Sequence, residues 1–125
     1  MDLATFIVRA RDRKDLSFRD LEKRAEDLSH AYIWRLARGE HGAPSAATIQ
    51  KLGAALELTE RQQRIFELLT KTSIDDALYQ VMESRMDIAW DDIEPVATMS
   101  FRGARPTTEQ DWVRLIETMR DLFAP

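Results

Sequence analysis

The sequence contains no cysteine, which excludes disulfides and thiolate-bound metals and leads to the expectation of a reducing, cytoplasmic setting. It has only two histidines, His30 and His41. At their spacing these supply at most half of a zinc site, so no metal or other cofactor is expected. Four glycines are scattered along the chain, with no glycine-rich phosphate loop, no His-Glu-x-x-His pair and no nucleophile elbow, so no enzyme is expected. The acidic pairs Asp75-Asp76 and Asp91-Asp92 read as helix caps and solvated faces rather than as acid–base couples. No apolar run approaches the ~20 residues that cross a bilayer, and the first residues carry no basic-then-apolar leader, so a membrane is not an expected partner. Scarce glycine and proline among many Ala, Leu, Glu and Arg favour helices, and the expected class is all-α.

What is present completes that outline. The chain has 125 residues, 44% apolar and 32% charged, which suits one domain or a small domain with an oligomerising tail. The net charge of −4 is unevenly spread. Residues 1–72 carry 13 Lys/Arg against 11 Asp/Glu, while residues 73–125 carry 5 against 11. The front can therefore meet an anionic partner that the back repels.

Helix-start signals set out the domains. Leu3, Phe6, Ile7 and Ala10 follow helical spacing and predict a first helix ending near Lys14. Ser17 to Asp20 reads as a capping box for a second helix with Leu21, Ala25 and Leu28 inward. Ser29 caps a short third helix, His30 to Arg38, that buries Ile33 and Leu36 and stops at Gly39. Pro44-Ser45 opens a fourth helix carrying Ile49, Leu52 and Leu56. Thr59 to Gln62 is a second capping box, for a fifth helix with Ile65, Phe66, Leu68 and Leu69. Beyond a boundary placed between residues 71 and 72, Ser73 to Asp76 is expected to cap a sixth helix. A seventh is expected to begin at Asp91 or Asp92, with Pro95 in its first turn. After a loop or short extended segment at 101–106, Thr107 or Thr108 caps the last helix. Trp112, Leu115, Ile116, Met119, Leu122 and Phe123 run along one side of it. About 50 residues build only a thin core, so this stripe is expected to be buried against a second copy of the chain.

The third helix carries the functional signal. With Ile33 and Leu36 inward, His30, Ala31, Trp34, Arg35 and Arg38 lie on or beside the opposite face. A helix, a turn and a second short helix within a five-helix unit is the layout of helix-turn-helix domains. The run Leu28-Ser29-His30-Ala31-Tyr32-Ile33-Trp34-Arg35-Leu36-Ala37-Arg38-Gly39, followed by Pro44-Ser45, resembles the recognition-helix signature of the Xre/lambda-repressor-like family over residues 3–70. There the pattern is valine, serine, two variable residues, tyrosine or threonine, isoleucine, serine, arginine, isoleucine, glutamate, arginine, glycine, then proline-serine. The chain departs from it at Ala37, where the family has glutamate, and at Phe18, where it has glutamine. The turn around Glu26-Asp27 is also one residue longer. The resemblance implies binding to double-stranded DNA, with Arg35 forking onto guanine and His30 at the end of the helix that enters the major groove. Arg19 and Arg38, near helix ends, are expected on phosphates, together with the Tyr32 hydroxyl, and Ser29 and Ala31 complete the DNA-facing set. Trp34 has two readings, a contact to a thymine methyl or sugar, or an anchor for a partner protein.

The tail carries a second resemblance. Phe101-Arg102-Gly103-Ala104-Arg105-Pro106, then Gln110-Asp111-Trp112, is similar to the C-terminal segment of DdrO-type repressors. There an Arg-Gly-x-Arg-Pro run precedes the last helix of a dimerisation domain, and a metallopeptidase partner can inactivate the repressor by cutting in this region. The resemblance implies a homodimer held by Trp112, Leu115, Ile116, Met119 and Phe123, with regulatory cleavage at Phe101–Arg102. The combined expectation is a five-helix lambda-repressor-like DNA-binding domain (residues 1–71) and a small helical dimerisation domain (residues 72–125), acting as a repressor of stress or mobile-element genes on a palindromic operator. The alternatives are a DNA-binding antitoxin, whose tail binds a toxin, and an adaptor that uses the same surface for protein contacts only.

Overall fold

The computed structural model describes residues 1–124. Among them lie eight helices and no strand: α1 (Leu3–Arg13), α2 (Phe18–Arg24), α3 (His30–Ala37), α4 (Ala46–Ala55), α5 (Glu60–Leu69), α6 (Asp76–Ser84), α7 (Trp90–Ala97) and α8 (Glu109–Phe123). None of these helices is long and apolar enough to cross a membrane. The chain divides into two compact units, Met1–Ser73 and a second beginning at Ile74. The division falls two residues later than the sequence boundary because the amides of Lys71 and Thr72 still bond back to the Leu68 carbonyl of α5.

Each helix of the first unit starts on a side-chain oxygen that satisfies an otherwise orphan amide. Asp2 accepts from Thr5, Ser17 from Asp20, Ser29 from Tyr32, Ser45 from Thr48 and Thr59 from Gln62. At Ser17 and Thr59 the reciprocal bond is also made, completing both expected capping boxes. The inward faces supply one core: Phe6 and Phe66 stack with centroids 5.2 Å apart, and Ile7, Leu21, Ile33, Ile49, Leu52 and Ile65 are buried with them. Burying each large apolar side chain stabilises the fold by about 1.5–3 kcal/mol. Helix α3 packs on α1 and α2, while α4 packs on α5 and α2. The approach of α4 to α5 is close enough that the Gln63 amide occupies the place a Cβ at Gly53 would take.

In the second unit α8 packs against both α6 and α7. Leu78, Val81, Met82, Ile93, Val96, Trp112 and Ile116 form its core. Two expectations fail here. Ser73 does not cap α6; the N-cap residue is Asp75, whose side chain makes no capping bond and instead accepts from Arg105, at 2.7 and 3.1 Å. Helix α7 begins at Trp90, so Pro95 lies in its second turn, where the missing N–H removes one helical hydrogen bond. Thr108, of the two threonines considered, caps α8 through the amide of Asp111.

Candidate nucleic-acid interface

The connection between α2 and α3 runs from Ala25 to Ser29 and turns at Asp27, whose φ of 70° is tolerated by a short polar side chain. Gly39 ends α3 with φ 71°, the conformation its position after the helix was expected to require. Ile33, Leu36 and Ala37 are buried, which turns Ala31, Trp34, Arg35 and Arg38 to solvent. His30 and Tyr32 are half-buried at the rim of that face.

The side chains of this face differ in how firmly they are held. Arg35 is exposed, and its guanidinium meets no carboxylate among the described residues; Arg19 in the first turn of α2 is also exposed and makes no ion-pair contact, although its charge acts on Glu22 of the same helix. Both forks are free to take an external anion or base edge. Arg38 is engaged: its guanidinium lies 4.5 Å above the Trp34 ring and 3.2 Å from the Glu40 carboxylate. That contact holds one face of Trp34 while leaving the residue 42% exposed. Tyr32 packs edge-on against His41, with centroids 4.8 Å apart, so the second histidine supports the loop after α3. Ser29 is spent on capping as an acceptor, although its own O–H can still donate.

Three supporting residues were not anticipated. Glu22 of α2 reaches the start of α3, where its Oε2 accepts from the His30 amide at 2.6 Å and lies 3.0 Å from His30 Nδ1. The bond from the His30 amide is the main cause that holds the Glu22 carboxyl below its usual range, and the His30 side chain adds to it. Arg11 stacks over Phe18, 4.6 Å from the ring centre, and donates to the Leu16 carbonyl, so Phe18 at the start of α2 is a packing element. Arg24 reaches the Ala55 carbonyl at the end of α4 and the Glu57 carboxylate. An acid eight residues before a helix's first residue is a faint signal in sequence, because its value depends on the turn that folds it back.

The tail residues are placed differently from expectation. Trp112 and Ile116 are completely buried within their own unit, so they are core residues and not free to meet a second copy. Phe101 covers Trp112 edge-on at 5.9 Å, and Arg105 lies over both rings, which supplies the closure the thin core lacked. Leu115 and Met119 are half-buried, whereas Leu122 and Phe123 are 69% and 78% exposed. Met119 and Phe123 line a groove of about 500 Å³ with Pro95, Asp91 and Asp92. Arg102 is exposed beside the half-buried Phe101. No cluster of potential metal ligands occurs among the described residues. No protein-family model matches the chain, and no curated protein matches it.

Proposed function

We propose that this chain is a sequence-specific double-stranded DNA-binding regulator, a dimeric repressor whose first unit is a helix-turn-helix domain with α3 as the recognition helix. The observation that carries the reading is the outer face of α3: an unpaired Arg35 beside Trp34 and His30, on a helix anchored from beneath by Ile33 and Leu36. Arginine offers two parallel donors that match the acceptors of guanine in the major groove, and Arg19 at the start of α2 suits a phosphate. Two such helices, joined through the second unit, would enter major grooves about 34 Å apart on a palindromic operator and exclude polymerase. The dimer contact is assigned to the face left after Trp112 and Ile116 are buried, namely Leu115, Met119, Leu122 and Phe123.

A titration of fluorescent duplexes from the DNA upstream of the coding region, at several salt concentrations, tests the reading. Expected are saturable binding to a particular duplex, weaker binding to scrambled DNA, and affinity that falls steeply with salt. Equal binding to all duplexes, or none, overturns it. Sedimentation of the full chain and of Leu122→Asp/Phe123→Asp tests the dimer face: the first should run as a dimer and the second as a monomer. A protein-binding adaptor is the second reading, favoured by the exposed Trp34; it would leave every duplex unbound.

A further inference from the structure

We infer that Glu22 determines which base His30 reads, by fixing the imidazole in the tautomer that carries its proton on Nδ1. The inference rests on the DNA-binding reading and sharpens it. The Glu22 carboxylate can only accept, and its Oε2 lies 3.0 Å from Nδ1 while also holding the His30 amide. In a neutral imidazole the ring nitrogen facing that oxygen must therefore carry the hydrogen. The other nitrogen, Nε2, is left as a bare acceptor on a ring that is 40% exposed at the first residue of α3. The bond from the backbone amide holds the carboxylate in place independently of the ring, so the pair is assembled before any DNA arrives.

The consequence is chemical selection at one base pair. An acceptor in the major groove is satisfied by the exocyclic amine of cytosine or adenine, and it is repelled by the acceptor edges of guanine. The opposite tautomer, or a doubly protonated ring, would present a donor and reverse the choice. Histidine at this position therefore reads as a cytosine or adenine selector, alongside an Arg35 suited to guanine.

Two measurements on the full chain test this separately from DNA binding. Imidazole ¹H–¹⁵N correlation spectra of the free protein at pH 8 should show His30 as the Nδ1–H tautomer, the minor form for free histidine in water. In Glu22→Ala the spectrum should move to the Nε2–H form, and Glu22→Gln, whose amide oxygen still accepts, should restore Nδ1–H. An Nε2–H ring in the wild type overturns the inference whatever the protein binds. Selection from a library of randomised duplexes should then return one position of each half-site whose base preference depends on His30 and changes in Glu22→Ala, where the tautomer moves. His30→Ala should reduce that preference about fivefold while leaving the guanine preference assigned to Arg35 intact. Specific binding whose base profile is the same in wild type, His30→Ala and Glu22→Ala overturns the inference alone; failure to select any sequence overturns the DNA reading and the inference together.

Discussion

The two units begin their helices in different ways. In the first, all five helices start on a side-chain oxygen of Asp, Ser or Thr. In the second, α6 and α7 have no side-chain cap, and only α8 has one. The carboxylate standing at the start of α6 is turned away from its own helix to Arg105, thirty residues on, which in turn lies over Phe101 and Trp112. The first unit is thus specified largely by short-range signals, and the second by long-range contacts converging on one tryptophan. Arginines of both units pair with acids: Arg85, Arg105, Arg114 and Arg120 of the second sit beside aspartates, and Arg11, Arg24 and Arg38 of the first beside Asp12, Glu57 and Glu40. What sets the first unit apart is Arg35, exposed on α3 with no carboxylate in contact among the described residues.

The largest effect should come from the point on which the second unit converges. Trp112→Ala opens a cavity beneath Phe101 and removes a platform for Arg105, and should destabilise the second unit by about 3–5 kcal/mol. Trp112→Phe should cost clearly less, because it keeps an aromatic ring beneath Phe101 and removes an indole N–H that is buried without an acceptor. Urea unfolding followed by far-ultraviolet circular dichroism reads both variants. Equal losses would mean that the indole's second ring and N–H matter more than the packing indicates.

Next comes the contrast between free and paired arginines. Arg35→Ala should leave the unfolding midpoint unchanged and weaken binding to a selected duplex by about 1–3 kcal/mol, with relaxed preference at one base pair. Arg105→Ala should do the reverse, lowering stability by about 1 kcal/mol for a partly exposed bidentate pair with its ring contacts, and leaving base preference as it was. Protein whose base preference survives Arg35→Ala would require a different orientation of α3.

This contrast also explains what was legible in the sequence. Caps are local: a hydroxyl just ahead of a helical apolar repeat announces a helix start, so Ser17, Ser29, Ser45 and Thr59 could be placed from sequence alone, and the cap of α8 narrowed to Thr107 or Thr108. The same rule misled at Ser73, because the pattern cannot show that Asp75 is claimed by a residue thirty positions away. The stripe on α8 was visible as a helical repeat, but periodicity does not say which part faces the chain's own core. Phe101 and Arg105 supply a cover for Trp112 that came from a segment read as loop. On the candidate interface, the outward set of α3 followed from the inward Ile33 and Leu36. Glu22 and Arg11 escaped because each acts across a turn.

A smaller effect tests the backbone logic of α3. Gly39 holds φ 71°, and a Cβ there would meet nothing closer than Ala4 at 3.8 Å. Gly39→Ala should therefore cost only the strain of a left-handed alanine, about 1 kcal/mol, with no steric addition. A loss several times larger, measured by urea midpoint, would mean that the residue after α3 is held more tightly than its open surroundings indicate.

The smallest effect is a pH dependence at the start of α2. Asp20 accepts from the Ser17 amide at 2.9 Å while its own amide donates to the Ser17 hydroxyl. The bond from the Ser17 amide is the main cause that holds the Asp20 carboxyl below its usual range, with Lys23 and Arg24 adding small contributions. A carboxyl that ionises more readily in the folded state stabilises that state wherever the unfolded chain's carboxylate is also ionised. The stabilisation is thus fully present above about pH 4, the ordinary aspartate range, and is lost as pH falls through the lowered folded value. Asp20→Ala removes both the charge and the acceptor. Its urea midpoint should lie below that of the wild type at pH 7, and the gap should narrow progressively once the pH drops under 4. Asp20→Asn, which keeps an acceptor but cannot ionise, should sit between the two at pH 7. A gap that stays constant from pH 7 to pH 2 would show that Asp20 acts through helix propensity alone, and that the reciprocal box at Ser17 adds nothing to the first unit's local specification.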